Sequence, residues 1–154
     1  MRYYINIGTN LGDRKANIAK AVDALAHANG CIVAKTSESV QTKAWGYSSE
    51  NTFMNMAVAV DSAVQPSEML ALLKRIEGTI GSTVHRDANG NYCDRMIDLD
   101  IMAMDEDVVD LPSLQIPHPH LAERYFFLKP FADIAPTWRH PVSHRTVSEM
   151  LQDL

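Results

Sequence analysis

The chain has 154 residues, 46% hydrophobic and 21% charged, a balance that suits one compact domain over 1–154 without disulfide staples. Its formal charge of −5 argues against broad nucleic-acid binding, while leaving room for a local basic pocket around a phosphate ligand. Cys31 and Cys93 form no CxxC pair, so neither a zinc site nor a disulfide framework is suggested. No apolar run approaches membrane length and no charged leader opens the chain, so a cytoplasmic protein with no membrane partner is expected.

In chain order, "RYYINI" (2–7) reads as a strand and "GTNLGD" (8–13) as a turn into a helix. Asp13 is placed to cap that helix. Ile18, Val22, Leu25 and Ala26 give it an apolar stripe, and Asn29-Gly30 ends it. Residues 31–40 ("CIVAKTSESV") suggest a second strand, and 53–60 ("FMNMAVAV") a third. Pro66 suits the first turn of a second helix, whose Met69, Leu73, Ile76 and Ile80 form one face before Gly81. Residues 96–104 ("MIDLDIMAM") are the fourth strand. The order β-α-β-β-α-β is that of a ferredoxin-like α+β sandwich. Beyond it, 112–141 reads as an irregular C-terminal extension. Thr146 with Glu149 then makes a capping box for a short last helix.

The fourth strand carries the unusual chemistry. Asp is depleted in strands and costly to bury unpaired, yet Asp98 and Asp100 stand one residue apart within an apolar run. Residues i and i+2 of a strand face the same side, roughly 6.6 Å apart at Cα. Two bare carboxylates ~6 Å apart at an effective dielectric of ~20 repel by about 3 kcal/mol. A hard cation offsets that repulsion, and an oxygen donor pair suits Mg²⁺, which keeps waters and takes up substrate phosphates. The alternative is a solvated strand end. Arg95, just before the strand, is placed to neutralise phosphate or to pair with Asp98.

Three blocks in order, "GTNLGD", "RMIDLDI" (95–101) and "PHPHLAERYF" (117–126), resemble the 6-hydroxymethyl-7,8-dihydropterin pyrophosphokinase family. The likeness runs from Ile5 to Pro136, and with it the whole chain reads as one pyrophosphokinase domain. It implies transfer of the terminal diphosphate of ATP to the hydroxymethyl group of a reduced pterin, with release of AMP, in folate synthesis. It implies two Mg²⁺ ions held by Asp98 and Asp100, with Arg95 beside them at the catalytic centre. Glu77, Arg86, Arg95, Ile101, His118 and Arg124 fall on the ATP side. Thr42, Trp45, Phe53, Asn55, Tyr92 and Phe126 fall on the pterin side. An amide at Asn55 donates and accepts at once, which suits the edge of a pterin ring. Flat rings such as Phe53 and Phe126 suit its faces.

Several of these residues have a plainer reading. His118 is a turn residue between prolines, Arg124 a solvated helix-end charge, Glu77 a helix-surface charge, and Phe53 and Phe126 core. His120 lies outside the matched positions and reads as surface. The sequence also departs from the family: "GSTVHRDANGNYCD" (81–94) is short of arginines, Tyr92 replaces a common tryptophan, "TKAWG" (42–46) is altered, and Ser113 stands where arginine is frequent. Segments 44–51 and 82–94 are expected lids. The rival functions are a weakened or non-catalytic pterin- and nucleotide-binding paralogue, and an RRM-like nucleic-acid binder using Tyr4 and Phe53. Small-molecule partners and a monomer are expected.

Overall fold

Alternation within "RYYINIGT" builds strand β1 (Arg2–Thr9): Tyr3, Ile5 and Ile7 are fully buried in one core, and Tyr4, Asn6 and Gly8 turn to the opposite face. The structure is a computed structural model and describes residues 1–42, 52–81 and 96–154. Helix α1 (Arg14–His27) follows, with Asp13 Oδ1 accepting from the Ala16 backbone N–H at 3.1 Å. Its buried stripe is Ile18, Ala21 and Leu25; Ala26, expected on that stripe, is exposed because it lies one step past the stripe's edge.

The single second strand expected over 31–40 is in fact two, β2 (Cys31–Thr36) and β3 (Val40–Thr42). Both lie along β4 (Phe53–Ser62), β2 against its C-terminal half and β3 against its N-terminal end. The break falls where the Ser37 hydroxyl accepts from the Ala57 N–H at 2.9 Å while the Ser37 N–H donates to the Ala57 carbonyl at 2.9 Å. The Glu38 N–H turns out of the ladder to Asp133 Oδ2 at 2.8 Å. A hydroxyl that replaces a backbone acceptor in this way competes with the ladder.

Helix α2 (Pro66–Ile80) has Pro66 in its first turn and ends on Gly81 at φ 117°, in the left-handed region that favours glycine. Met69, Leu73 and Ile76 are buried as its periodicity predicts. The fourth expected strand is β5 (Asp98–Met104). The sheet order is β2-β4-β1-β5, antiparallel throughout, with β3 extending the line of β2 along β4. That is the ferredoxin-like arrangement, with α1 and α2 packed on one face.

The stretch read as irregular is more ordered than expected. A hairpin leads into it, with β6 (Val109–Leu111) just before and β7 (Leu114–Ile116) inside, and it holds a 3-10 turn over Leu121–Glu123 and helix α3 (Tyr125–Ile134). The prolines hide this helix from the sequence: Pro117 and Pro119 punctuate its approach, and Pro130 lies inside it. Phe127, Leu128 and Phe131 of α3 close over Ala57, Ala59, Met102 and Ala103 on the second face of the sheet. Helix α4 (Val147–Gln152) has the expected capping box: Glu149 N–H donates to Thr146 Oγ1 and Thr146 N–H to Glu149 Oε1, at 3.1 and 3.0 Å. Cys31 is a buried free thiol, and Cys93 lies outside the described residues.

Candidate active site

The ladder brings the functional side chains into two rows on the α3 face of the sheet. Asn55, Gly8 and Asp98 are in register across β4, β1 and β5; Ala57, Asn6 and Asp100 form the next row. A third row, Ala59, Tyr4 and Ala103, already lies under the C-terminal helices. Gly8 keeps the first row open. A Cβ there would stand 2.9 Å from Asn55 Oδ1 and 3.8 Å from the Phe53 ring, so the missing side chain makes room for both.

Asp98 and Asp100 are both half-exposed, while Leu99 and Ile101 between and beyond them are buried in the core on the helix side. The strand that presents them is fixed at its start. Thr9 Oγ1 donates to the Met96 carbonyl at 2.5 Å, and Asn17 Nδ2 donates to the same carbonyl at 3.2 Å and to that of Leu11 at 2.9 Å. Glu77 is 2% exposed, which overturns its reading as a helix-surface charge; its Oε2 accepts from the Leu99 N–H at 2.8 Å on the edge strand. Lys74 lies 3.4 Å from the other carboxylate oxygen of Glu77. Buried polar groups that bond backbone in this way hold a strand's register and position. Ile101, expected on the ATP side, has its side chain in the core on the opposite face, so any contact it makes with a ligand comes from its backbone.

The donor set fits Mg²⁺. Two carboxylates on one strand face offer only hard oxygen ligands, and among the described residues no group of three or more His, Cys, Asp or Glu gathers as a transition-metal cage would need.

Beside β5, the His118 N–H donates to the Met102 carbonyl at 2.9 Å, which sets the 117–120 segment along the strand edge. Burial, with Arg124 and His120 adding to it, pushes the His118 imidazole down to about 4, against a smaller opposing pull from Asp98. Its Nδ1 accepts from the His120 N–H at 3.1 Å, so the neutral ring carries its proton on Nε2 and presents a donor there. His118 also packs edge-on against the Phe127 ring at 4.9 Å. His120, expected at the surface, has its side chain 44% exposed and lies 3.0 Å from Glu123 Oε2. The Arg124 guanidinium is half-buried against two rings, 5.5 Å from Phe126 and 5.1 Å from Phe127, rather than a solvated helix end.

On the other side of Gly8, Asn55 is 2% exposed and its Nδ2 donates to Thr42 Oγ1 at 3.3 Å. Phe53 is buried but belongs to neither apolar core. Phe126 is half-buried at the start of α3, its ring 5.0 Å from that of Phe127. Thus Thr42, Phe53, Asn55, Asp98, Asp100, His118, Arg124 and Phe126 are placed, and Glu77 supports β5 from its edge. Trp45, Arg86, Tyr92 and Arg95 lie outside the described residues, as do both expected lids. Asn6, Gly8, Thr9 and Asn17 were not singled out from the sequence. For Asn6 a signal existed: an amide between two isoleucines on a strand, in phase with Gly8.

The RRM-like alternative loses its platform here. Tyr4 lies under Phe131 and Trp138, with ring centroids at 4.8 and 6.5 Å, so no open pair of rings faces outward from the central strands.

Residues 4–136 match the model of the 7,8-dihydro-6-hydroxymethylpterin-pyrophosphokinase family. The chain belongs to this family. It is 31% identical over 146 residues to the 2-amino-4-hydroxy-6-hydroxymethyldihydropteridine pyrophosphokinase of Aquifex aeolicus, covering 95% of this chain and 88% of that one. The protein of the same description from Porphyromonas gingivalis is 35% identical over 139 residues, covering 90% and 92%. Among solved structures, a Plasmodium falciparum HPPK-DHPS chain crystallised with pteroate superposes with a TM-score of 0.78 at 15% identity. The match takes in 99% of this chain but 44% of that one, so this chain spans under half the length of those solved relatives; the likeness supports the fold. As a member of the pyrophosphokinase family, the chain is an ATP-dependent diphosphotransferase.

Proposed function

We propose that this chain transfers the β,γ-diphosphate of ATP to the hydroxymethyl oxygen of 6-hydroxymethyl-7,8-dihydropterin. The observation that carries the reading is the Asn55–Gly8–Asp98 row: a buried amide and a carboxylate share one strip of sheet with a side-chain-free gap between them. Asn55 and Thr42 are suited to the ring edge of the pterin, and Phe53 and Phe126 to its faces. Asp98 and Asp100 are suited to hold two Mg²⁺ ions, which when bound neutralise triphosphate charge and orient it for attack. His118 offers its Nε2–H to a phosphate oxygen, Arg124 brings positive charge to the same side, and Arg86 and Arg95 complete the basic set.

The pterin oxygen attacks the β-phosphorus in line. The bond from that phosphorus to the bridging oxygen of the α-phosphate breaks, AMP leaves, and the hydroxyl proton passes to solvent. Positioning and charge neutralisation carry most of such a transfer, so no dedicated side-chain base is invoked. The setting is a cytoplasmic, monomeric enzyme of folate synthesis acting on small molecules, its single domain running through residue 154. No helix among the described residues is long and apolar enough to cross a membrane.

The test is AMP release from ATP and Mg²⁺ with and without the reduced pterin. Release that depends on pterin supports the reading. Binding of both ligands with no AMP identifies the chain as the non-catalytic paralogue instead.

A further inference from the structure

Asn6 is 2% exposed in the middle of β1, in register with Ala57 on one side and Asp100 on the other. Its Nδ2 donates to the backbone carbonyl of Phe126 at 3.0 Å, across 120 residues of sequence. That carbonyl needs an outside donor for a local reason. In a helix it would accept from the N–H four residues on, and that residue is Pro130, which has none. The proline ring also crowds the carbonyl it fails to bond and tilts it out of the helix. A buried carbonyl left unpaired is costly, so a donor from the sheet settles where the first turn of α3 lies.

We infer that Asn6 is a positioning residue of the pterin site: its amide replaces the hydrogen bond that Pro130 withholds, and so fixes the turn of α3 that carries the Phe126 ring. The inference rests on the proposed pterin reading, because Phe126 is the ring that would stack on the substrate. Arg124, whose guanidinium lies 5.5 Å from that ring, is carried by the same turn. Asn6 itself touches no reacting atom. It acts through the turn it anchors, and Pro130 creates the need for it.

Pairing the two residues gives a test that a general packing role would not satisfy. Calorimetry measures binding of a non-reacting pterin and of a non-hydrolysable ATP analogue with Mg²⁺, for the wild type, Asn6→Ala, Pro130→Ala and the double variant. Asn6→Ala should weaken pterin binding about three- to tenfold, the worth of one net hydrogen bond, with a smaller change for the analogue. Pro130→Ala restores an in-helix N–H to the Phe126 carbonyl, so it should bind pterin as the wild type does. In that background Asn6→Ala should have lost its effect. Wild-type pterin affinity in Asn6→Ala, or a double variant as weak as Asn6→Ala alone, overturns the inference and leaves the proposed function standing. A wild type that binds no pterin overturns both. Should Asn6→Ala fail to fold, a double variant that folds and binds pterin supports the inference, and one that stays unfolded overturns it.

Discussion

The two faces of the central sheet are made from alternate residues of the same strands, and they have different jobs. On the face under α1 and α2, Tyr3, Ile5, Ile7, Val58, Val60, Leu99 and Ile101 are apolar from one end to the other. The other face changes character half-way along. Ala57, Ala59, Met102 and Ala103 lie under α3 and Trp138; Asn6 is buried beneath the first turn of α3, Asn55 is buried beside Gly8, and Asp98 and Asp100 are half-exposed. The apolar cover gives way to polar groups within the Ala57–Asn6–Asp100 row. A register shift in the β1–β5 pairing helps to set that boundary, since it lets Met102 and Ala103, neighbours in sequence, both face α3. The candidate site thus occupies one end of one face, so substitutions there and in the core under α1 and α2 should report on different properties.

The largest effect should come from the apolar face. Leu73 of α2 is fully buried, and Leu73→Ala should cost about 2–5 kcal/mol in unfolding free energy, read from denaturant titration. Ligand affinities of the folded fraction should hold; if they fall in step with stability, the two faces are not separable.

On the polar face, Asp98→Ala and Asp100→Ala should each reduce turnover by at least about two orders of magnitude at saturating Mg²⁺. Circular dichroism and melting should stay close to wild type, because both side chains are half-exposed. Near-normal AMP release from either variant removes the metal assignment.

His118 sharpens the boundary between cover and site. Its imidazole is held at about 4 in the folded chain against an ordinary 6.5, so the unfolded chain takes up the proton first as pH falls. The stability this residue allows is therefore complete above 6.5 and declines toward 4, by up to about 3 kcal/mol. His118→Gln should lack that component, and unfolding curves between neutral and mildly acidic pH compare the two slopes. Parallel slopes would show that the imidazole is solvated.

The smallest of these effects belongs to Asn55→Ala. It should weaken pterin binding by roughly 1–3 kcal/mol, with ATP-analogue binding and melting far less changed. Equal calorimetric losses for both ligands count against the pterin role.

Much of the polar face is legible in the sequence because it breaks the strand pattern. Two aspartates spaced by one residue share a face by the period of the strand alone, and Asn55 stands out among Met54, Ala57 and Val58 for the same reason. Helix α2 is framed by Pro66 and Gly81, and α4 by Thr146 and Glu149, each through a local hydrogen-bonding or dihedral demand. Helix α3 escapes that kind of reading. Its residues are apolar on most sides and interrupted by Pro130, so local signals point away from a helix that packing against Ala57, Ala59 and Met102 makes stable. The break between β2 and β3 is likewise made by a hydroxyl on one strand meeting an amide on another.

By itself, then, the sequence determined which residues share a strand face, where the capped helices begin and end, and which family motifs stand in what order. These follow from dihedral preferences and periods of two and 3.6 residues, which act between near neighbours. Only the tertiary structure decided that Glu77 bonds the Leu99 amide, that His118 is half-buried with its imidazole pushed down to about 4, and that Asn6 holds the carbonyl that Pro130 leaves open. Those outcomes depend on groups 22 and 120 positions apart or on loss of water around a side chain, and no local pattern encodes either.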